Sequence, residues 1–373
     1  MRTWFTWLLV VIYTVGVPNF FGHTDRRSRQ ETASRAAARS LGYITQATLS
    51  QTVSNQPGVR ANDGVVSALV CTRNRPESLL RAVRSLLVGD GAGFELIVID
   101  QSDGRETEHA LTALRGDTRL RYIRSGVRGK GAALNEGLRL ARGQVIVCTD
   151  DDCEAPPGWV SAMARALDAQ PTAAVLFCNV TAGPHDSVLG YVPAFERRSS
   201  RLLRSIAAIR AGLGLGAGMA LRRDAVIDLG GFDEAFGPGA RFPSGDDWDI
   251  SQRVLLTGGH VFEAAHLSIM HHGFRTLSEG RDHAVRDWFA IGGLSAKLVR
   301  AGSVGGAIAS LWYFFATALW PPVLDLLRLK RPSGIARIVG YFQGLAQGLR
   351  LSVDPKTLLF STNKSSVNGR GAI

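Results

Sequence analysis

Four short apolar runs alternate with helical stretches between Val65 and Thr149, and this alternation constrains the fold more than any other feature. Val65-Val66-Ser67-Ala68-Leu69-Val70-Cys71 is almost continuously apolar, as a strand covered on both faces must be. Asn74-Arg75-Pro76-Glu77 then reads as a helix start, with Asn74 as the cap and Glu77 three residues on. Leu79, Leu80, Val83, Leu86 and Leu87 follow at helical spacing. Residues 94–99 form a second strand, 120–123 a third and 144–149 a fourth, with a helix over 132–141 closed by Gly143. Strand and helix in alternation imply a mostly parallel sheet wound with helices. Such sheets bind ligands beyond the C-terminal ends of their strands.

The residues just past those ends are polar. Strand one runs into Thr72-Arg73-Asn74-Arg75-Pro76, strand two into Asp100-Gln101-Ser102-Asp103-Gly104, and strand four into Asp150-Asp151-Asp152. Three consecutive carboxylates repel one another unless a cation or several donors offset them. Hard oxygen ligands at a tight turn suit Mg²⁺ or Mn²⁺. A solvated acidic turn is the competing reading, and its place on the ligand edge weighs against it.

With Gly129-Lys130-Gly131, Asn135-Glu136-Gly137 and Gly245-Asp246-Asp247-Trp248-Asp249, these motifs occur in the order and at the separations found in the family-2 inverting glycosyltransferases. The chain resembles that family over about 65–275. The resemblance implies an α/β domain of GT-A type over 64–280, binding a nucleotide sugar on a mostly parallel sheet. It also implies donor contacts from Thr72, Arg75, Asp100, Asp103, Lys130, Asp150 and Asp151, with Arg128 near the base or phosphates. Asp152 would hold Mg²⁺ or Mn²⁺. Asp247, beside Asp246, matches the catalytic carboxylate, here in an Asp-Asp pair rather than the commoner Glu-Asp. A downstream His completes the metal site in such enzymes, and His271 and His272 are both candidates. The reaction so implied moves a sugar from a nucleotide-diphosphate donor to a lipid-linked or polysaccharide hydroxyl. A sugar-1-phosphate nucleotidyltransferase is the alternative, but it expects a GxGxR-type loop where Thr72-Arg73-Asn74-Arg75-Pro76 stands. A non-catalytic membrane scaffold is the third reading, and intact Asp150, Asp152 and Asp247 argue against it.

Other features have weaker readings. The loop Gly212-Leu213-Gly214-Leu215-Gly216-Ala217-Gly218 does not follow the first strand of a βαβ unit, which weighs against a nicotinamide site and favours close approach to donor or acceptor. Residues 236–244 read either as a lid or as a surface loop. Arg197, Arg198, Arg201 and Arg204 read as a helix face that is either solvated or phosphate-binding. Trp248 is a candidate to stack on a sugar, with packing the rival. Cys71, Cys148, Cys153 and Cys178 lack metal spacing and read as reduced, buried thiols.

The flanks differ in kind. Residues 4–21 form an uncharged apolar run at the lower limit for a membrane span. Arg26, Arg27 and Arg29 follow it, which would leave the rest of the chain on the cytoplasmic face of the membrane. An over-extended start is the competing reading. Residues 22–63 read as a linker, 281–355 as a membrane-associated region of apolar and amphipathic helices, and 356–373 as a disordered tail. Residues 301–324 carry no charge, but Pro321-Pro322 should break the helix and leave it short of a span. An interfacial segment is the expectation, with a packed helix pair or a true span as rivals. The net charge of +11 divides as +4 over 1–63, zero over 64–275 and +7 over 276–373. The basic excess therefore sits with the apolar flanks, which points to an anionic membrane surface and away from nucleic acid.

Overall fold

In the computed structural model the described residues are 65–91 and 93–361. The apolar run at 4–21, the linker at 22–63 and the end of the tail at 362–373 lie outside them. Strands β1 (Val66–Thr72), β2 (Phe94–Asp100), β3 (Leu120–Arg124) and β4 (Val145–Asp150) pair in parallel in the order β3-β2-β1-β4. Beyond β4 the nine-stranded sheet continues through β9 (Met219–Arg222), β6 (Ala173–Ala182), β10 (His260–His271) and β5 (Cys153–Glu154), with β8 (Arg201–Leu203) also on β10. Strand β9 runs antiparallel to both of its neighbours, and β6 and β10 are parallel.

The alternating side chains of β1 explain its unbroken apolarity. Ala68 and Val70 face one core, against α1 (Pro76–Gly89) and α4 (Trp159–Asp168). Leu69 faces the other, against α3 (Lys130–Leu140) and α6 (Asp246–Leu256). The start of α1 differs from expectation. Arg75 takes the cap position, and Asn74 turns into the left-handed region at φ 56°. The Asn74 side chain instead donates to Asp103 at 2.8 Å and accepts from its backbone N–H at 2.9 Å. A tertiary contact thus outcompetes the local cap.

The helical region is not a separate domain. Helix α7 (Leu277–Arg300) crosses the expected boundary at 280, and its Trp288, Leu294 and Leu298 join the core shared with the sheet. Lys297 is buried between Asp233 and Asp249, 2.5 Å from the former, with Phe236 and Phe360 ring centroids at 4.8 and 4.7 Å. Arg253, also fully buried, donates to Asp249 at 2.8 Å and makes the cluster neutral. Removing one member strands the others, which costs about 3–5 kcal/mol in a buried site. Urea unfolding of Lys297→Met should show a loss of that size, and a change below about 1 kcal/mol would refute the coupling. Phe360 closes the cluster by donating its N–H to Asp233 at 2.8 Å. The expected tail therefore begins later than 356, because Phe360 has a buried slot.

The C-terminal apolar stretch also departs from expectation. Helices α8 (Val304–Phe314) and α9 (Trp320–Leu327) form one continuous helix across Pro321 and Pro322. A π-helical segment (Phe315–Leu319) joins them, the kind of local adjustment by which a helix carries proline. The 24-residue result is long and apolar enough to cross a membrane by length and composition alone. Helix α10 (Ile335–Leu349) packs on α7 through Gly340, Gly344 and Gly348. A Cβ at Gly344 would stand 1.8 Å from the Phe289 carbonyl oxygen, so the close approach requires glycine there.

Candidate active site

Charged side chains gather at the C-terminal edge of β1 and β4. Thr72 donates its hydroxyl to Asp151 at 2.7 Å, and Arg75 reaches Asp151 at 3.0 Å and Asp152 at 3.2 Å. Burial pushes the Asp151 carboxyl up, against the opposing charge of Arg75. Asp103, at the end of β2, is exposed among Arg73, Asn74 and Arg128, the last at 3.3 Å. Asp100 is fully buried, accepting from the Ser102 N–H at 2.8 Å and the Tyr122 hydroxyl at 2.5 Å. Both of its oxygens are thus engaged inside the protein, and it shapes the loop that carries Ser102 and Asp103.

Lys130, at the start of α3, connects the two halves of the site. Its ammonium donates to Asp150 at 2.6 Å and lies 3.8 Å from Asp246. Its backbone N–H donates to the Pro238 carbonyl at 3.0 Å. Burial alone would lower the Lys130 pKa, but the charges of Asp150 and Asp246 outweigh it and hold the pKa well above its ordinary value. Asp246 is itself pushed up by burial, with Lys130 opposing. Residues 236–244 form a fastened loop rather than a free lid. Phe236 and Phe242 stack at 4.9 Å, and Gly237, at φ 99°, donates its N–H to the Phe242 carbonyl.

The Gly-rich loop approaches Asp247. The Gly216 N–H donates to one carboxylate oxygen at 2.7 Å and the Trp248 N–H to the other at 2.8 Å. A Cβ at Gly216 would sit 3.3 Å from the Asp247 side chain, so the neighbour would have to give by a few tenths of an ångström. Burial, and then the negative charge of Asp246, push Asp247 up to about 7, with Lys130 and the two N–H groups opposing. A carboxyl poised near neutrality suits a general base.

The two histidines separate cleanly. His271 Nδ1 lies 2.9 Å from the Pro193 carbonyl, which can only accept, so Nδ1 carries the hydrogen. Nε2 is thereby directed at Asp152 Oδ1, 3.1 Å away. That buried oxygen makes no hydrogen bond of acceptable geometry. Burial opposes ionisation of Asp152, yet His271 and Arg75 bring its pKa down to about 2. An oriented imidazole facing a buried carboxylate is a donor pair that fits a divalent cation. Cys153, read from the sequence as an inert thiol, lies in the same cluster, its ligand atom within 4.8 Å of those of Asp152 and His271. Burial pushes its thiol well above the ordinary range. His272 turns away and meets Glu154 at 2.9 Å.

Two other sequence readings are corrected. Trp248 is buried with its ring centroid 5.1 Å from that of Tyr313, so it packs rather than offering a face to a sugar. The arginines after 196 do not form a helix face. Arg201 lies on β8, and Arg197 and Arg201 neutralise the buried Glu263 at 3.1 and 2.5 Å, leaving Arg198 and Arg204 exposed.

Comparisons with known proteins bear on the sequence family and the fold. Residues 67–230 match the family described as Glycosyl transferase family 2, a match that ends before Asp246 and His271. WcaA of Escherichia coli, a glycosyl transferase named for colanic acid biosynthesis, is 31% identical over 121 residues, 32% of this chain and 43% of WcaA. The succinoglycan biosynthesis protein ExoO of Rhizobium meliloti is 33% identical over 105 residues, 28% of this chain and 30% of ExoO. The chain thus spans less than half the length of these relatives. Among solved structures, the mannosyltransferase PcManGT of Pyrobaculum calidifontis, in complex with GDP-Man and Mn²⁺, superposes with a TM-score of 0.53 at 19% identity. That alignment covers 77% of this chain and 87% of PcManGT. Residues 1–349 of S. aureus TarS give a TM-score of 0.50 at 14% identity, covering 77% and 81%. These likenesses show the GT-A fold.

Proposed function

We propose that this chain, which carries a glycosyl transferase family 2 domain over residues 67–230, is a metal-dependent inverting glycosyltransferase. Its donor is a nucleotide-diphosphate sugar, and its acceptor is a hydroxyl on a lipid-linked or polysaccharide substrate at the cytoplasmic face of the membrane. The observation that carries this reading is Lys130, which joins the strand-end carboxylates to the Asp246–Asp247 pair. The leaving-group side and the base side of a displacement are thereby brought together. Asp247 takes the proton of the acceptor hydroxyl as that oxygen bonds to the anomeric carbon. The bond to the diphosphate breaks, and the nucleoside diphosphate departs with its electron pair. One displacement, with no sugar bound covalently to the enzyme, inverts the anomeric configuration. Asp152 and His271 would hold Mg²⁺ or Mn²⁺, which when bound neutralises charge on the leaving diphosphate. Arg75 and Lys130 add positive charge on that side. Thr72, Asp103, Asp150 and Asp151 complete the donor side, and Asp100 acts through the loop it supports.

Thermal unfolding with a panel of UDP, GDP, CDP and dTDP sugars, with Mn²⁺ or Mg²⁺ present, tests the reading. A ligand at 100 times its Kd stabilises the native state by about 2.7 kcal/mol. One nucleotide should therefore raise Tm by several degrees and lose the effect in EDTA. A flat response to every donor would remove the proposal.

A further inference from the structure

The helix formed by α8, the π segment and α9 is apolar on two sides, and the fold covers only one. Gly306, Ala309, Ser310, Tyr313, Phe314 and Ala318 are buried against the domain. Ser310 shares a hydrogen bond of 2.5 Å with Ser295 of α7, and Phe314 stacks on Tyr341 of α10 at 4.1 Å. Val304, Ile308, Leu311, Trp312 and Phe315 recur at helical spacing on the outer side and stay exposed. Helix α10 repeats the pattern, with its glycine face on α7 and Ile335, Val339 and Phe342 exposed. Phe342 meets the buried Phe314 at 5.5 Å, so α10 packs beside the inner side of this helix. A helix apolar all round calls for a second apolar environment.

We infer that this double helical face is a bilayer-docking surface on which residues 304–327 lie in the plane of the membrane rather than crossing it. Tertiary contacts argue against crossing, because a spanning helix would have to give up its buried side to lipid and break the Ser295–Ser310 bond. Charge argues for an anionic bilayer over a second copy of the chain. Arg328, Lys330 and Arg331 are exposed where α9 ends, and Leu329 among them is 97% exposed. Bare basic and apolar residues interleaved in this way match an anionic lipid surface, whereas two copies would set like charges against each other.

The placement also bears on the site. Arg337, in the first turn of α10, lies within electrostatic reach of Tyr191 on β7 (Gly190–Tyr191), which pairs with β11 (Arg275–Thr276). Exposed Leu189 and Phe274 flank that pair, and the Phe274 N–H donates to the His272 carbonyl at 2.7 Å, beside His271. Exposed apolar side chains therefore also stand near the Asp152–His271 cluster. A lipid-linked hydroxyl would arrive there by lateral diffusion. This deepens the membrane-proximal acceptor proposed above and rests on it.

The test is depth-dependent quenching of the full chain on vesicles of 70% phosphatidylcholine and 30% phosphatidylglycerol. Single cysteines replacing Val304, Leu311, Leu326 and Leu189 carry an environment-sensitive dye, with the unsubstituted chain as blank. All four dyes should be quenched by lipids spin-labelled near the headgroup, to similar extents, and weakly by lipids labelled deep in the chain. Leu311→Glu with Phe342→Glu should weaken helix-face quenching about tenfold, as should pure phosphatidylcholine. Deep quenching at Leu311 with shallow quenching at Val304 and Leu326 would mean a span and overturn the inference. No quenching at any position, or shielding that grows with protein concentration in the absence of lipid, would overturn it as well. Loss at Leu189 alone would remove the orientation toward the site. Local dyes are needed because residues 4–21 could bring the chain to vesicles by themselves. Donor-induced stabilisation, measured on the same proteins without lipid, tells failure of the enzymatic reading apart from failure of the docking surface.

Discussion

Replacing Asp247 by Asn should reduce sugar transfer at least about 10²–10⁴-fold while leaving the protein folded and able to bind its donor. That range is what a positioned general base contributes. The substitution keeps the shape of the side chain and removes its capacity to take a proton. Donor-dependent thermal stabilisation should survive, because Asp247 lies on the acceptor side of Lys130. The pH profile gives an independent check. Asp247 is pushed up to about 7, and only its ionised form accepts a proton. Transfer should therefore rise with pH through about 7 and level off above it, and the rising limb should vanish in Asp247→Asn. Full transfer by that variant, or a profile already flat at pH 5, would remove Asp247 as the base.

The second large effect concerns the metal. His271→Ala and Asp152→Ala should each weaken Mn²⁺ binding by more than the 10–100-fold typical of losing an outer-shell partner. His272→Ala should leave it almost unchanged, since His272 is directed at Glu154. Electron paramagnetic resonance of bound Mn²⁺, with the nucleoside diphosphate identified by thermal unfolding, measures this directly. Equal losses at the two histidines would contradict the orientation argument. Transfer that persists unchanged in EDTA would remove Asp152 from its metal role.

Several elements were legible in the sequence because their signals are local. The four parallel strands fall within about a residue of where the apolar runs place them. Periodicity is imposed by backbone geometry and needs no knowledge of distant partners. The misreadings share the opposite property. Asn74 has the chemistry of a cap, but Asp103 competes for it. Pro321 and Pro322 ordinarily break an α-helix, yet the helix runs on through them after a π segment. The arginines after 196 resemble a basic surface until Glu263 appears beneath two of them. Cys153 has no metal spacing along the chain, and only the pairing of β5 with β10 sets it beside His271.

The sequence by itself determined the strand-helix order, the carboxylates beyond the strand ends and the confinement of the basic excess to the apolar flanks. All of these follow from composition and short-range spacing. Only the tertiary structure decided which histidine faces Asp152, that Lys130 joins Asp150 to Asp246, and that burial and Asp246 raise the Asp247 pKa against the opposing Gly216 N–H. It also decided that one side of the 304–327 helix belongs to the domain. The reason is physical. A side chain's charge state and partner depend on the dielectric and the donors within a few ångströms, and in this fold those come from residues far away along the chain.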